Sequence, residues 1–142
     1  MPVSAKTEPV SDTALGTPGQ LILTDLEELG PELQGPGDAL ILLNSDTWGA
    51  PGTGRQLMEA FLGVLADGAP GLTTLVLVNR AVLLAEPGPA SYRLSALERQ
   101  GVDVLLCATS AREHGVTPVA GRKAELPELA RAILQGKRVI TL

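Results

Sequence analysis

Short apolar runs that alternate with segments of helical period constrain this chain most. Ala39–Leu43 is an uninterrupted apolar run that enters Asn44-Ser45-Asp46-Thr47. A strand with no polar face is buried on both sides, as in a parallel sheet. Leu72–Val78, with Thr73 and Thr74, and Val102–Leu106 read as two more such strands, and Arg138–Leu142 as the last. Between them lie helical patterns. Arg55–Ala66 carries Leu57, Met58, Phe61, Leu62, Val64 and Leu65 in a wide stripe that predicts burial. Ala90–Gln100 turns Leu94 and Leu97 inward and stops at Gly101. Thr109–His114 forms a short helix closed by Gly115. Leu126–Leu134 has apolar residues at i, i+3, i+4, i+7 and i+8, with Pro127 in the first turn, where a missing N–H costs nothing. Val116–Ala120 reads as a weak strand that Pro118 confines to an edge. Asn79–Pro89 is a long connection whose Val82, Leu83 and Leu84 predict packing against something. Strands and helices that alternate in this way make a parallel sheet with helices on both faces.

The remaining sequence sets limits. Residues 1–20 are rich in Pro, Thr, Ser and Gly and have no period. Leu21–Leu23 has strand character and Thr24–Leu29 that of one helical turn. Gly35-Pro36-Gly37 is a break. The expected organisation is a flexible tail over 1–37 and one α/β domain over 38–142. Aromatic residues are 2% of the 142, namely Trp48, Phe61 and Tyr92, so the core is built from Leu, Val, Ile and Ala. Few exposed rings, a net charge of −5 and no basic stripe argue against nucleic acid and anionic membranes as partners. The single cysteine has no internal disulfide partner, consistent with a reducing cytoplasm. The first residues lack a basic and an apolar signal region, and no apolar run reaches the ~18 residues of a membrane span. A cytoplasmic protein is expected.

In open parallel sheets, ligands bind outside the carboxyl ends of the strands. Three segments qualify: Asn44–Gly54, Asn79–Pro87 and Cys107–Ser110. The first contains Gly49-Ala-Pro-Gly-Thr-Gly54, which has the glycine spacing of a phosphate loop. Arg55 and Gln56 stand where the lysine and the magnesium-binding hydroxyl belong, so phosphoryl transfer lacks its ligands and the segment reads as a turn that opens a helix. Asn44, Ser45 and Asp46 suit either a ligand or capping of the loop and following helix; capping is favoured. Cys107 ends a core strand and precedes a short helix, where unpaired N–H groups and the helix dipole favour negative charge on sulfur. Thr109 and Ser110 are donors nearby, and Arg93, Arg112 or His114 are candidate positive neighbours. The alternative is a small buried hydrophobe. One Cys and one His do not make a metal site, and His114 reads as a solvated helix-end residue. Glu98, Glu125 and Glu128 read as solvated helix positions.

Several stretches together resemble the DsrE-like family, and most closely the C-terminal half of YedF-type proteins of sulfur and selenium metabolism. They are ILLNSDTWG (41–49), GRQLMEAFL (54–62), LVLVNRAVLLAEPG (75–88), GVDVLLCATS (101–110) and GKRVITL (136–142), in collinear order. The resemblance implies a three-layer α/β/α sandwich on an open, mostly parallel five-stranded sheet. It implies sulfur relay, with Cys107 accepting sulfane sulfur as a persulfide, and Asn44, Ser45, Asp46, Asn79, Thr109 and Ser110 as supporting or substrate-binding residues. No cofactor and no metal is implied. The implied partners are a TusA-like or rhodanese-like sulfur donor or acceptor and further copies of the chain, with Trp48 and the apolar residues of 81–85 as contact points. Two features depart from the family. Cys107-Ala108-Thr109-Ser110 stands where YedF-type proteins tend to show Cys-Gly-Thr-Cys, and no TusA-like domain with a Cys-Pro-x-Pro motif is present. They keep open a second reading: an oligomeric binding or scaffold module that retains the fold without sulfur transfer.

Overall fold

The computed structural model describes residues 39–142; the tail read over 1–37, with its short strand and helical turn, lies outside them. In chain order the elements are β1 (Ala39–Leu43), α1 (Thr53–Asp67), β2 (Leu72–Leu77), a 3₁₀ helix (Asn79–Ala85) and α2 (Pro89–Arg99), followed by β3 (Asp103–Cys107), α3 (Ala108–Glu113), β4 (Arg122–Ala124), α4 (Leu126–Gln135) and β5 (Arg138–Thr141). The five strands form one sheet in the order β4-β3-β2-β1-β5. Every adjacent pair is parallel.

This order explains how the helices divide. Parallel crossovers are right-handed. From β1 to β4 the chain steps in one direction, so α1, α2 and α3 fall on one face. The return from β4 to β5 spans the whole sheet in the other direction and puts α4 on the opposite face. The larger core accordingly joins Leu43, Leu75, Leu77 and Leu106 to Met58 and Leu62 of α1, Leu94 and Leu97 of α2, and Ala111 of α3. The smaller core joins Leu40, Val76, Leu105 and Ala124 to Leu129 of α4, with Cys107 and Ile133 packed at its margin. The expected α/β/α architecture is present, with one layer much thicker than the other. Among the described residues no helix is long and apolar enough to cross a membrane.

Three sequence expectations need correction. The stripe on α1 is narrower than its composition suggests: Met58 and Leu62 are buried, but Leu57 and Val64 are exposed. A helix packed on one side of a sheet buries only the residues that face it, whatever the chemistry of the others. Of the apolar residues of 81–85, Ala81, Val82, Leu84 and Ala85 offer no surface to another molecule, being fully buried in the chain's own core, and Leu83 alone is partly exposed. The fourth strand is 122–124 rather than 116–120. Val116 and Ala120 pack into the larger core instead. Val119 donates its N–H to the Ala85 carbonyl, away from the sheet, and Pro118 has no N–H to give. Gly121 then lets the chain close on β3: its φ is +77°, and a Cβ there would lie 2.5 Å from Leu106 Cδ1. The ladder resumes after it, at Arg122 opposite Leu105.

Candidate functional site

β1, β2 and β3 are neighbours in the middle of the sheet, so their carboxyl ends form one rim. The rim brings together four of the residues expected to work there. Asn44 follows β1, Asn79 follows β2, Cys107 ends β3 and Ser110 follows it. The Asn79 side-chain Nδ2 donates to Asn44 Oδ1. The Asn79 main-chain N–H donates to Ser110 Oγ at 2.8 Å, and the Ser110 main-chain N–H donates to Cys107 Sγ at 3.5 Å.

Local chemistry accounts for each link. Asn79 is the single non-glycine residue with positive φ among the described residues, at 53°. Asn tolerates this left-handed conformation better than most side chains. It starts the 3₁₀ helix, whose first N–H has no partner within the helix. Ser110, buried, accepts that N–H. Cys107 is the residue before α3, and its sulfur takes the capping position there. The thiol packs at the edge of the smaller core but is half-exposed. Beside it in the sheet lies Ala124 of the β4 edge strand.

The other expected site residues point elsewhere. Ser45 stays within its own loop, accepting the Thr47 N–H at 3.1 Å. Thr109 is exposed and accepts from Arg112 Nη2 at 3.2 Å. Asp46 does not cap: α1 has no side-chain cap and begins after Gly52. Asp46 is instead the only buried charged residue among those described, and it holds two arginines, Arg55 Nη1 at 3.0 Å on Oδ2 and Arg80 Nε at 3.2 Å on Oδ1. An ion pair satisfies a buried carboxylate more fully than a turn N–H does. Arg80 was not foreseen. Its one signal is that it is the only charge in Asn79–Ala85, an otherwise apolar segment next to a strand end.

The phosphate-loop segment spends several of its N–H groups on itself. The N–H groups of Trp48, Gly54, Arg55 and Gln56 all bond within the loop or the first turn of α1. Arg55 is held by Asp46 and by Glu59 at 3.2 Å. Of the cations considered for the thiol, Arg93 lies over Gly63 of α1, and Arg112 pairs with Thr109 and, at 3.9 Å, with Glu125. Glu128 is not a free solvated position: Arg122 donates to it at 2.7 Å and to Asp103 at 3.2 Å. The hydrogen bond from Arg122 holds the Glu128 carboxyl below its ordinary value, and Glu128, then Asp103, raises Arg122. The described cavities are lined by Thr73, Thr74, Asp103, Ala132 and Gln135, toward the amino ends of the strands, so they belong to the opposite end of the sheet from Cys107.

No family model and no curated protein matches the chain. Two of the solved structures similar to it are these. One is the ychN protein from E. coli, at 22% identity and a TM-score of 0.57, covering 75% of this chain and 99% of that one. The other is a conserved protein of unknown function from Bacteroides thetaiotaomicron, at 14% identity and a TM-score of 0.51, covering 74% of this chain and 95% of that one. At these identities the likeness shows a shared fold, the DsrE/YchN-like arrangement of a five-stranded parallel sheet with helices.

Proposed function

We propose that this chain is a sulfur-relay protein that carries sulfane sulfur as a persulfide on Cys107. The observation that carries the reading is the state of the thiol. It is half-exposed at the carboxyl end of a central strand, with the Ser110 N–H directed at its sulfur. The N–H is placed to hydrogen-bond the sulfur as it attacks, and the thiolate is the nucleophile in such an exchange.

The chemistry balances without a cofactor. The Cys107 thiolate attacks the outer sulfur of a donor persulfide. A new S–S bond forms to Cys107, the donor's own S–S bond breaks, and the donor leaves as a thiolate. In the second step an acceptor thiolate attacks the outer sulfur on Cys107, which departs as the thiolate again. Ser110 cannot resolve the persulfide, having no thiol, and its hydroxyl already accepts the Asn79 N–H. The second thiol therefore belongs to another protein, and a TusA-like or rhodanese-like partner is the chemistry that fits. The carrier acts in the cytoplasm, where thiols stay reduced. Assembly into homo-oligomers is part of the proposal. With most of 81–85 buried, its contact surface moves to Trp48 and the exposed Leu57 and Val64. Light scattering that finds only monomer at working concentration removes that part.

The reading is tested by incubating the chain with a low-molecular-weight persulfide and weighing it by mass spectrometry. A gain of one sulfur atom, reversed by a reducing thiol and mapped to Cys107, is expected. No gain under conditions that load a competent carrier rejects relay. The packing of Cys107 against the smaller core favours a second reading: a scaffold or binding module in which the thiol serves packing alone. That reading expects the unloaded mass.

A further inference from the structure

We infer that Arg80 is a positioning residue for the Cys107 thiol, acting through Asn79 and Ser110. The inference rests on Cys107 as the working thiol. It begins from Asp46, whose buried carboxylate is shared by two arginines of different elements. Arg55 belongs to α1, so its ion pair ties the loop after β1 to the helix that follows it. Arg80 belongs to the first turn of the 3₁₀ helix, so its ion pair ties that loop to the segment after β2. The two bonds do different work. The Arg55 bond closes a local loop, nine residues apart in sequence. The Arg80 bond crosses 34 residues and fixes one rim segment against another.

Arg80 is the direct neighbour of Asn79, the residue in the left-handed conformation. That conformation costs free energy for a side chain with a Cβ and persists where its surroundings hold it. Two contacts do so. One is the Asn79–Asn44 side-chain bond. The other is the Arg80–Asp46 ion pair, one residue further on. With Asn79 held, its N–H faces Ser110 Oγ at 2.8 Å. That bond sets the first turn of α3, and with it the Ser110 N–H that lies 3.5 Å from Cys107 Sγ. The route from Asp46 to the sulfur thus runs through consecutive bonds, with Arg80 as the only charged group in it that sits beside the strained residue. The bond that Arg80 makes is to Asp46, through Nε.

Arg80 is also a residue that can be changed with little harm to the fold. Its side chain is 60% exposed, and Asp46 keeps Arg55 when Arg80 is removed. The test uses alkylation of Cys107 by iodoacetamide, which reports thiol reactivity whether or not the chain carries sulfur. Cys107 is the only cysteine in the chain, so the readout has one source. Four proteins are compared with wild type: Arg80→Met, Arg80→Lys, Ser110→Ala and the double variant Arg80→Met/Ser110→Ala. Circular dichroism establishes that each is folded, and hydrogen exchange follows the Asn79 amide.

Loss of one aligned hydrogen bond corresponds to about a two- to tenfold change. Arg80→Met is expected to slow alkylation by that factor and to speed exchange at Asn79 while leaving core amides protected. Arg80→Lys restores most of the rate, because an ammonium can still reach Asp46. In the Ser110→Ala background, Arg80→Met changes nothing further, because the link it acts through is gone. Alkylation of Arg80→Met at the wild-type rate overturns the inference, whatever the exchange shows. An equal slowing by Arg80→Met in both backgrounds also overturns it, since Arg80 would then act by another route. Failure of sulfur loading with these alkylation results intact rejects the relay and leaves the positioning role standing.

Discussion

The rim after β1 and the rim after β3 occupy equivalent places in the fold and use their polar groups in opposite ways. After β1, Asp46 is buried and each of its oxygens is bound by an arginine. That carboxylate is buried and committed to two guanidinium groups, and its role is to hold the loop, α1 and the 3₁₀ helix together. After β3, Cys107 is half-exposed and its sulfur has a single long N–H contact. The one group is buried against its partners and the other keeps part of its surface toward solvent. Position at a strand end therefore nominates residues, but the state of their bonds separates braces from reactive groups.

The comparison predicts separable losses. Cys107→Ser should abolish sulfur loading entirely, while stability by chemical denaturation stays within about 1 kcal/mol of wild type. A large stability loss would make Cys107 a packing residue and erase the contrast. Asp46→Ala should do the reverse in kind. It unties Arg55 and Arg80, which stay within reach of water, and should cost about 1.5–3 kcal/mol in the same assay, the range for hydrogen bonds to a charged group. A near-neutral result would mean that Asp46 is no brace. Ser110→Ala lies between the two rims. It removes the acceptor of the Asn79 N–H and should cost about 0.5–1.5 kcal/mol, with slower alkylation of Cys107 as the accompanying sign.

The smallest effect belongs to the β4 edge. Arg122 lowers the Glu128 carboxyl, so the folded state binds that proton less readily than the unfolded chain. The resulting stabilisation is fully present above the ordinary carboxylate value, 4.5, and is lost as pH falls through the lowered value. Glu128→Gln should therefore flatten the stability profile below that pH slightly and leave loading of Cys107 untouched. An altered loading rate would tie the edge strand to the site.

Much of this was legible in the sequence. β1 is an unbroken apolar run and begins and ends where the pattern does, and α4 shows its period plainly. β4 was not legible, because Arg122, Lys123 and Ala124 carry no apolar alternation. At an edge, a short charged strand is stable once its neighbour offers a ladder, and the charges discourage pairing with other chains. The apolar stretch 116–120 gave a stronger signal but spends it on the core. The exposed residues of α1 were misread for a related reason: periodicity tells which residues share a face, not whether something covers it. At the rim, Cys107 and its neighbours were found from their place at strand ends. The bonds among Asn79, Ser110 and Cys107 join residues up to 31 positions apart, and no local pattern announces them. Arg80 was missed because an exposed arginine in an apolar segment looks like a solubilising charge until its partner is seen.

The central claim is that Cys107 both takes and gives up sulfur. A single-turnover experiment tests it most directly. The chain is loaded from a persulfide donor, freed of excess donor, and mixed with an acceptor protein that bears one reduced cysteine. Masses of both proteins are then followed in time. The account predicts that one sulfur atom leaves Cys107 as one appears on the acceptor, and that Cys107→Ser neither loads nor transfers. A chain that never gains the sulfur, or that gains it and holds it while the acceptor stays unchanged, contradicts the account.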